Sequence, residues 1–201
     1  MKKMIWLTTS FVLSLVFIVP AILVMGLKMI PGNIQPGFDS NVRISIYRDR
    51  VFSQKFISKV NNMTAIGVSI RNPNLKNKAD IIFNLHDSEG FTLRTVMING
   101  QNLEDGSFTK LVFAPVPDSL GEEYFFTISS PAAGPEETIE VFIIEPDDLS
   151  GITEYSYLEE THSGGTPIVV YEKPGSKLNT VKAVYSSWLS RLLLPGSQKS
   201  E

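Results

Sequence analysis

The sequence predicts an all-β domain, an antiparallel jelly-roll-like β-sandwich, behind an N-terminal transmembrane helix and before a C-terminal amphipathic helix. Three observations predict it. Met4 to Leu27 is a mostly apolar run without a charge. Beyond residue 40 the pattern becomes a two-residue alternation, broken by turn residues at intervals of about 8–12 residues, which is the rhythm of a sandwich. From Thr180 apolar side chains return at helical spacing.

The first run is long enough to cross a bilayer as one helix, which needs about 20 residues. A cleaved secretion signal has an apolar core of about 7–15 residues ending at a small-residue site. This run is longer, and its best cleavage site, Val24-Met25-Gly26, is a weak one, so residues 1–32 are read as a retained anchor. Lys2 and Lys3 with the amino terminus outweigh Lys28, which leaves the N-terminus cytoplasmic and the rest of the chain extracytoplasmic, on a single-pass protein of the cell membrane. Trp6 falls at an interfacial position, and Pro20 is a candidate kink. Pro31-Gly32 is expected to break the helix, and residues 33–40, with Pro36 and Gly37, read as a linker.

The sandwich is expected over residues 41–175. Its alternating runs are Val42-Ile44-Ile46, Phe52-Gln54-Phe56, Ile66-Val68-Ile70, Ile81-Phe83-Leu85, Thr92 to Ile98, Phe108 to Phe113, Tyr124-Phe126-Ile128 and Ile139-Val141-Ile143. Asn72-Pro73-Asn74, Asp87 to Gly90, Asn99-Gly100 and Pro115 to Ser119 supply turn chemistry between them. Ile152 to Leu158 and Pro167 to Tyr171 are expected to form a last hairpin around Ser163-Gly164-Gly165. Residues 176–195 then form the amphipathic helix. Val181, Val184, Tyr185, Trp188, Leu189, Leu192 and Leu193 share one face, and 196–201 is a polar, disordered tail.

Composition narrows the function. Lys2, Lys3 and Lys28 belong to the anchor and account for three of the 18 basic side chains, leaving 15 basic against 21 acidic ones, a net charge of −6. That argues against nucleic acid as a partner, which needs a basic footprint. The chain has no cysteine, which excludes disulfides, thiolate metal sites and cysteine nucleophiles. Its two histidines, His86 and His162, lack metal-ligand spacing, although a pair of them could meet in space. No phosphate loop, nucleophile elbow or dinucleotide fingerprint occurs. The carboxylates fall mostly in turns. Asp147-Asp148 or Asp118 could help hold calcium, but no calcium-loop pattern supports them. Asn62-Met63-Thr64 fits a glycosylation pattern, with a chance match favoured. No catalytic residue, metal ligand or cofactor is therefore assigned. Tyr155 and Tyr157 are the candidates for stacking on a glycan, and Val184, Tyr185, Trp188, Leu189 and Leu192 for docking on a membrane or a partner.

One stretch carries a resemblance. Phe113-Ala114-Pro115-Val116-Pro117-Asp118-Ser119-Leu120-Gly121, followed by Tyr124 to Pro131, is similar to a pattern found in bacterial membrane-anchored extracytoplasmic β-sandwich domains of jelly-roll, carbohydrate-binding-like type. Gln54-Lys55-Phe56 and Asn62 to Val68 resemble strands of the same class. The resemblance implies the fold and a position behind a membrane helix, but no settled activity. Within the motif the prolines end a strand, Asp118 and Ser119 are expected to cap the turn, and Gly121 permits the reversal. The reading is a tethered, non-catalytic accessory or binding module of the cell envelope, its partner an envelope protein or a glycan. The alternatives are a carbohydrate-binding module using exposed aromatics, or an envelope hydrolase or lyase with a carboxylate or histidine site.

Overall fold

The structure, a computed structural model, describes residues 2–37, 42–103, 108–146 and 152–193. Side chains are described within these except at residues 2–5, 7, 16, 152, 153, 187, 188 and 190–193. The chain divides into two compact units, one of Met1–Ile30 with Lys173–Glu201 and one of Pro31–Glu172.

The first unit holds two helices, α1 (Lys2–Val24) and α2 (Lys177–Leu193). Helix α1 ends at Val24, before the expected break at Pro31-Gly32. Gly26 follows it, and the amides of Gly26 and Leu27 close short turns onto Leu23 and Val24. Among the described residues no helix is long and apolar enough to cross a membrane. Four side chains inside the apolar run, Met4, Ile5, Leu7 and Val16, lie outside that set. Helices α1 and α2 pack on each other, and the Tyr185 hydroxyl donates to the Phe17 carbonyl at 2.7 Å.

The second unit is a β-sandwich. Its strands are β1 (Ile30–Pro31), β2 (Arg43–Ile46), β3 (Phe52–Ile57), β4 (Met63–Arg71), β5 (Asp80–Asp87), β6 (Thr92–Asn99), β7 (Phe108–Val116), β8 (Glu123–Ser129), β9 (Ile139–Phe142), β10 (Ile152–Tyr157), β11 (Glu160–Ser163) and β12 (Ile168–Glu172). The first sheet runs β1-β12-β4-β9-β2, with β7 also paired to β4. The second runs β11-β10-β3-β8-β5-β6. Among the described residues, consecutive strands pair as hairpins only at β5–β6 and β10–β11; the other connections from β2 onward cross between sheets. That crossing lets each strand turn one apolar face inward against the opposite sheet.

The core forms where those faces meet. Phe52, Phe56, Phe83 and Phe126 are sealed from solvent. Phe126 lies 5.4 Å from the Phe83 ring centre, 6.0 Å from Phe52 and 6.1 Å from Phe56. Phe113 of the first sheet stacks across on Phe83 at 6.3 Å. Two buried asparagines fasten the loops. Asn72 donates to the carbonyls of Asn77 and Gly100, and Asn77 donates to the Glu137 carbonyl and the Ser130 hydroxyl. Such polar groups are tolerated inside because they are bonded.

Four expectations need correction. Asn33, placed in the linker, belongs to the sandwich: its amide accepts from the Val170 N–H at 3.1 Å and donates to the Ile168 carbonyl at 2.9 Å, imitating a strand along β12. Asn99-Gly100 makes no hairpin. It opens a short 3-10 turn in which the Asn99 side chain accepts from the Gln101 N–H, and the chain then crosses sheets. The last hairpin is not β10 with β12. Strand β10 pairs with β11 through Leu158-Glu159, whose φ values of 52° and 66° suit a type I′ turn, while Gly164-Gly165 carries the chain to the other sheet. Ser119 does not merely cap its own turn. Its hydroxyl donates to the Val60 carbonyl at 2.9 Å and accepts from the Met63 N–H at 3.1 Å, clamping the turn to the start of β4. Asp118 at φ 51° and Gly121 at φ +84° make the reversal itself.

Candidate binding face

Alternation along β3 turns Phe52, Gln54 and Phe56 into the core and Ser53 and Lys55 out. Strand register then carries the outward set across the second sheet. Thr161 lies opposite Ser156, Ser156 opposite Ser53, Ser53 opposite Thr127, Thr127 opposite Asn84, and Asn84 opposite Thr95. The result is a lane of five hydroxyls and one amide, one from each strand. At about 4.8 Å per strand it is roughly 24 Å long. Two contacts order its ends: the Ser156 and Thr161 hydroxyls are 3.3 Å apart, and Thr95 donates to Asn84 Oδ1 at 2.7 Å.

A second row runs beside the lane. Lys55 lies opposite Phe125, Phe125 opposite His86, and His86 opposite Thr92. The His86 ring stacks on Phe125 with centres 4.6 Å apart and planes 11° from parallel. Its two nitrogens face hydroxyls, Nδ1 with Thr92 at 3.2 Å and Nε2 with Thr127 at 3.4 Å. The imidazole is thus held upright and covers one face of Phe125. On the β3–β10 side, Phe125 lines a depression with Ser53, Lys55, Glu154, Tyr155 and Ser156. There Lys55 Nζ meets Glu154 Oε1 at 2.5 Å. That hydrogen bond and the carboxylate's charge, with a further contribution from Glu123, raise the ammonium's pKa above its ordinary value. The depression therefore presents one flat apolar wall, two small hydroxyls and one internally neutralised ion pair.

Of the two tyrosines singled out from sequence, Tyr155 lines this depression and Tyr157 does not. Tyr155 and Tyr157 are half-buried and point inward rather than projecting from the surface. Tyr155 lies between Phe52 at 5.6 Å and His162 at 5.0 Å. The Tyr157 hydroxyl donates to the Ser45 carbonyl at 2.6 Å and accepts from Arg50 at 3.3 Å. His162 follows Tyr155 on the inward side, whereas His86 shares the outward side with Phe125 and Lys55, so the two histidines cannot form a pair. Thr64 of the glycosylation pattern is buried, its hydroxyl bonded to the Phe113 carbonyl. Among the described residues no group of three His, Cys, Asp or Glu side chains could hold a metal. Asp147, Asp148 and residues 196–201 lie outside the described residues. In α2, Val184 and Tyr185 are half-buried and Leu189 is exposed, while the side chains of Trp188 and Leu192 are not among those described.

Sequence reasoning missed Phe125, His86 and the hydroxyl lane as one surface. The outward members of each strand are visible as the polar half of the alternation, but only register aligns them.

No family model matches the chain, and no curated protein matches it. Among solved structures, the chain is similar to the cysteine protease and lectin-like domains of Cwp84, a surface layer associated protein of Clostridium difficile. That match has 9% sequence identity and a TM-score of 0.37, and covers 66% of this chain and 34% of the other, about a third of its length.

Proposed function

We propose that the chain is a single-pass, membrane-anchored extracytoplasmic β-sandwich that binds an envelope component through the outer face of its second sheet, without catalysing a reaction. The observation that carries the binding role is that face: a continuous lane of hydroxyls beside an immobilised aromatic pair. What supports the anchor is the uncharged run Met4 to Leu27 with Lys2 and Lys3 before it. A catalytic role needs converging titratable groups. The two histidines instead face opposite sides of one sheet.

Because the chain has no native cysteine, Thr95→Cys gives a unique label on this face. In intact cells a membrane-impermeant maleimide should label it, and the protein should resist extraction from membranes by alkaline carbonate. Labelling only after permeabilisation, or release by carbonate, would count against this placement. A photo-crosslinker at Thr95 should capture a component that the same group at Val112, on the first sheet, does not; equal capture at both would sink the binding-face reading.

A further inference from the structure

We infer that the depression beside Phe125 is a sugar-ring subsite and that the hydroxyl lane continues it, so that the face takes an extended, uncharged glycan; this rests on the reading of that face as a binding face. The argument starts from what the surface can offer. His86 covers one face of Phe125, and the depression lies on the other side of that ring, toward β3 and β10. A flat apolar wall of this kind suits the C–H face of a pyranose. Around it stand Ser53 and Ser156, which can each donate and accept, with an ammonium donor at Lys55 and a carboxylate acceptor at Glu154. A ligand with its own mixed donor–acceptor hydroxyls matches that set.

Other ligand classes fit less well. Lys55 is already matched by Glu154 at 2.5 Å, so an anion finds no uncompensated cation at the depression. An extended peptide adding a strand needs open backbone at a sheet edge. Strand β3 is paired on both sides, by β10 and β8, and β8 by β3 and β5. An apolar helix or acyl chain offers nothing to the hydrogen-bonding capacity the lane still has after its internal contacts, and burying that capacity is costly. The lane crosses all six strands, roughly 24 Å, and so accommodates a chain of sugars rather than a single one. His86 acts here as a positioning residue: with both nitrogens on hydroxyls, it fixes the tilt of Phe125.

The test uses the full-length protein in detergent micelles, run in native gels containing an uncharged soluble polysaccharide (mixed-linkage β-glucan, galactomannan or dextran). Dextran sulfate serves as the anionic comparator. At least one uncharged polymer should retard the protein. Phe125→Ala should weaken that affinity about tenfold or more. Ser53→Val combined with Ser156→Val should weaken it too, and these β-branched replacements suit the strands, so the fold is retained. Val112→Ala, on the other sheet, should change it by no more than about twofold. Retardation by none of the three polymers overturns the inference, as does retardation left intact both by Phe125→Ala and by Ser53→Val with Ser156→Val. Preference for dextran sulfate overturns the ligand class. The face's role is judged separately, by labelling and crosslinking at Thr95, so a failed ligand and a failed face give different results.

Discussion

The side chain of Gln54 pairs with the backbone of Thr166 as though it were a strand. Its Oε1 accepts from the Thr166 N–H at 2.6 Å, and its Nε2 donates to the Thr166 carbonyl at 3.2 Å. Gln54 lies on β3 of the second sheet and Thr166 just before β12 of the first, so the amide ties the two sheets together through the core. Both residues are fully buried. Gln54→Leu keeps the bulk but strands two backbone groups, each costing about 1–3 kcal/mol when left unpaired. A loss of about 2–4 kcal/mol is expected in urea unfolding followed by tyrosine fluorescence; a loss under about 0.5 kcal/mol would show that water or rearrangement replaces the link.

Gly165 serves the same link by staying small. A Cβ there would run into Gln54 Oε1, so Gly165→Ala should also destabilise, by displacing the amide. Since both changes damage one contact, the double variant should lose clearly less than the sum of the two singles. Additive losses would mean that Gly165 matters for another reason.

The Leu158-Glu159 turn is built from the wrong residues for its shape. Both have positive φ, where a non-glycine side chain costs roughly 1–2 kcal/mol. Leu158 is also 54% exposed, so it contributes little burial. Combining Leu158→Asn with Glu159→Gly supplies the residues such a turn favours. The double variant should gain about 1–2 kcal/mol in thermal unfolding, with the β10–β11 amides more protected from exchange. No gain, or looser amides, would rule out strain at this turn.

This turn also shows why the sequence is readable only in part. Phe52-Gln54-Phe56 and Tyr124-Phe126-Ile128 declare their inward faces by local alternation, because each needs only its own neighbours to be interpreted. The same rule applied to Tyr155-Ser156-Tyr157 turns both tyrosines inward, which is where they lie. The pairing of β10 is obscured because Leu158 and Glu159 are not turn formers, while Gly164 and Gly165 are. The roles of Gln54 and Ser119 depend on partners 112 and 56 residues away and leave no local trace. The candidate face is the extreme case. Ser53, Thr127 and Asn84 are ordinary polar strand residues taken singly, and become a lane only through register.

Alkaline stability should follow the buried tyrosines. Burial raises the pKa of Tyr155 and of Tyr171 above the ordinary value of 10.0, and raises that of Tyr124 with help from Glu122 and Asp87. A raised phenol keeps its proton longer in the folded state than in the unfolded one. The folded state then binds more protons, so stability falls as pH rises. The stabilisation is whole below about pH 10, the unfolded value, and is lost as pH climbs toward the folded values. The melting temperature should therefore drop above about pH 10, and Tyr155→Phe, which keeps the ring between Phe52 and His162, should flatten that drop. An unchanged slope in the variant would show that Tyr155 titrates alike in both states.

Where the two helices pair, Tyr185 of α2 meets the backbone of α1. Its hydroxyl donates to the Phe17 carbonyl at 2.7 Å, three residues before Pro20. Proline has no N–H to give, so the Val16 carbonyl one residue earlier loses its helix donor and the ladder is thinned beside this contact. Val184, Tyr185, Trp188, Leu189 and Leu192 read from the sequence as a docking face, and of these Tyr185 meets α1. Cysteines introduced at Phe17 and Val184 are the only ones in the chain. A bis-maleimide of about 8–10 Å reach, the usual separation of packed helix axes, should join them in the purified full-length protein. Adding Tyr185→Phe should lower the yield, since it removes a hydrogen bond worth about 0.5–1.5 kcal/mol while keeping the ring. Equal yields with and without the hydroxyl would reduce the contact to simple apolar packing, and no crosslink in either background would show that α2 does not lie on α1 in the full-length protein.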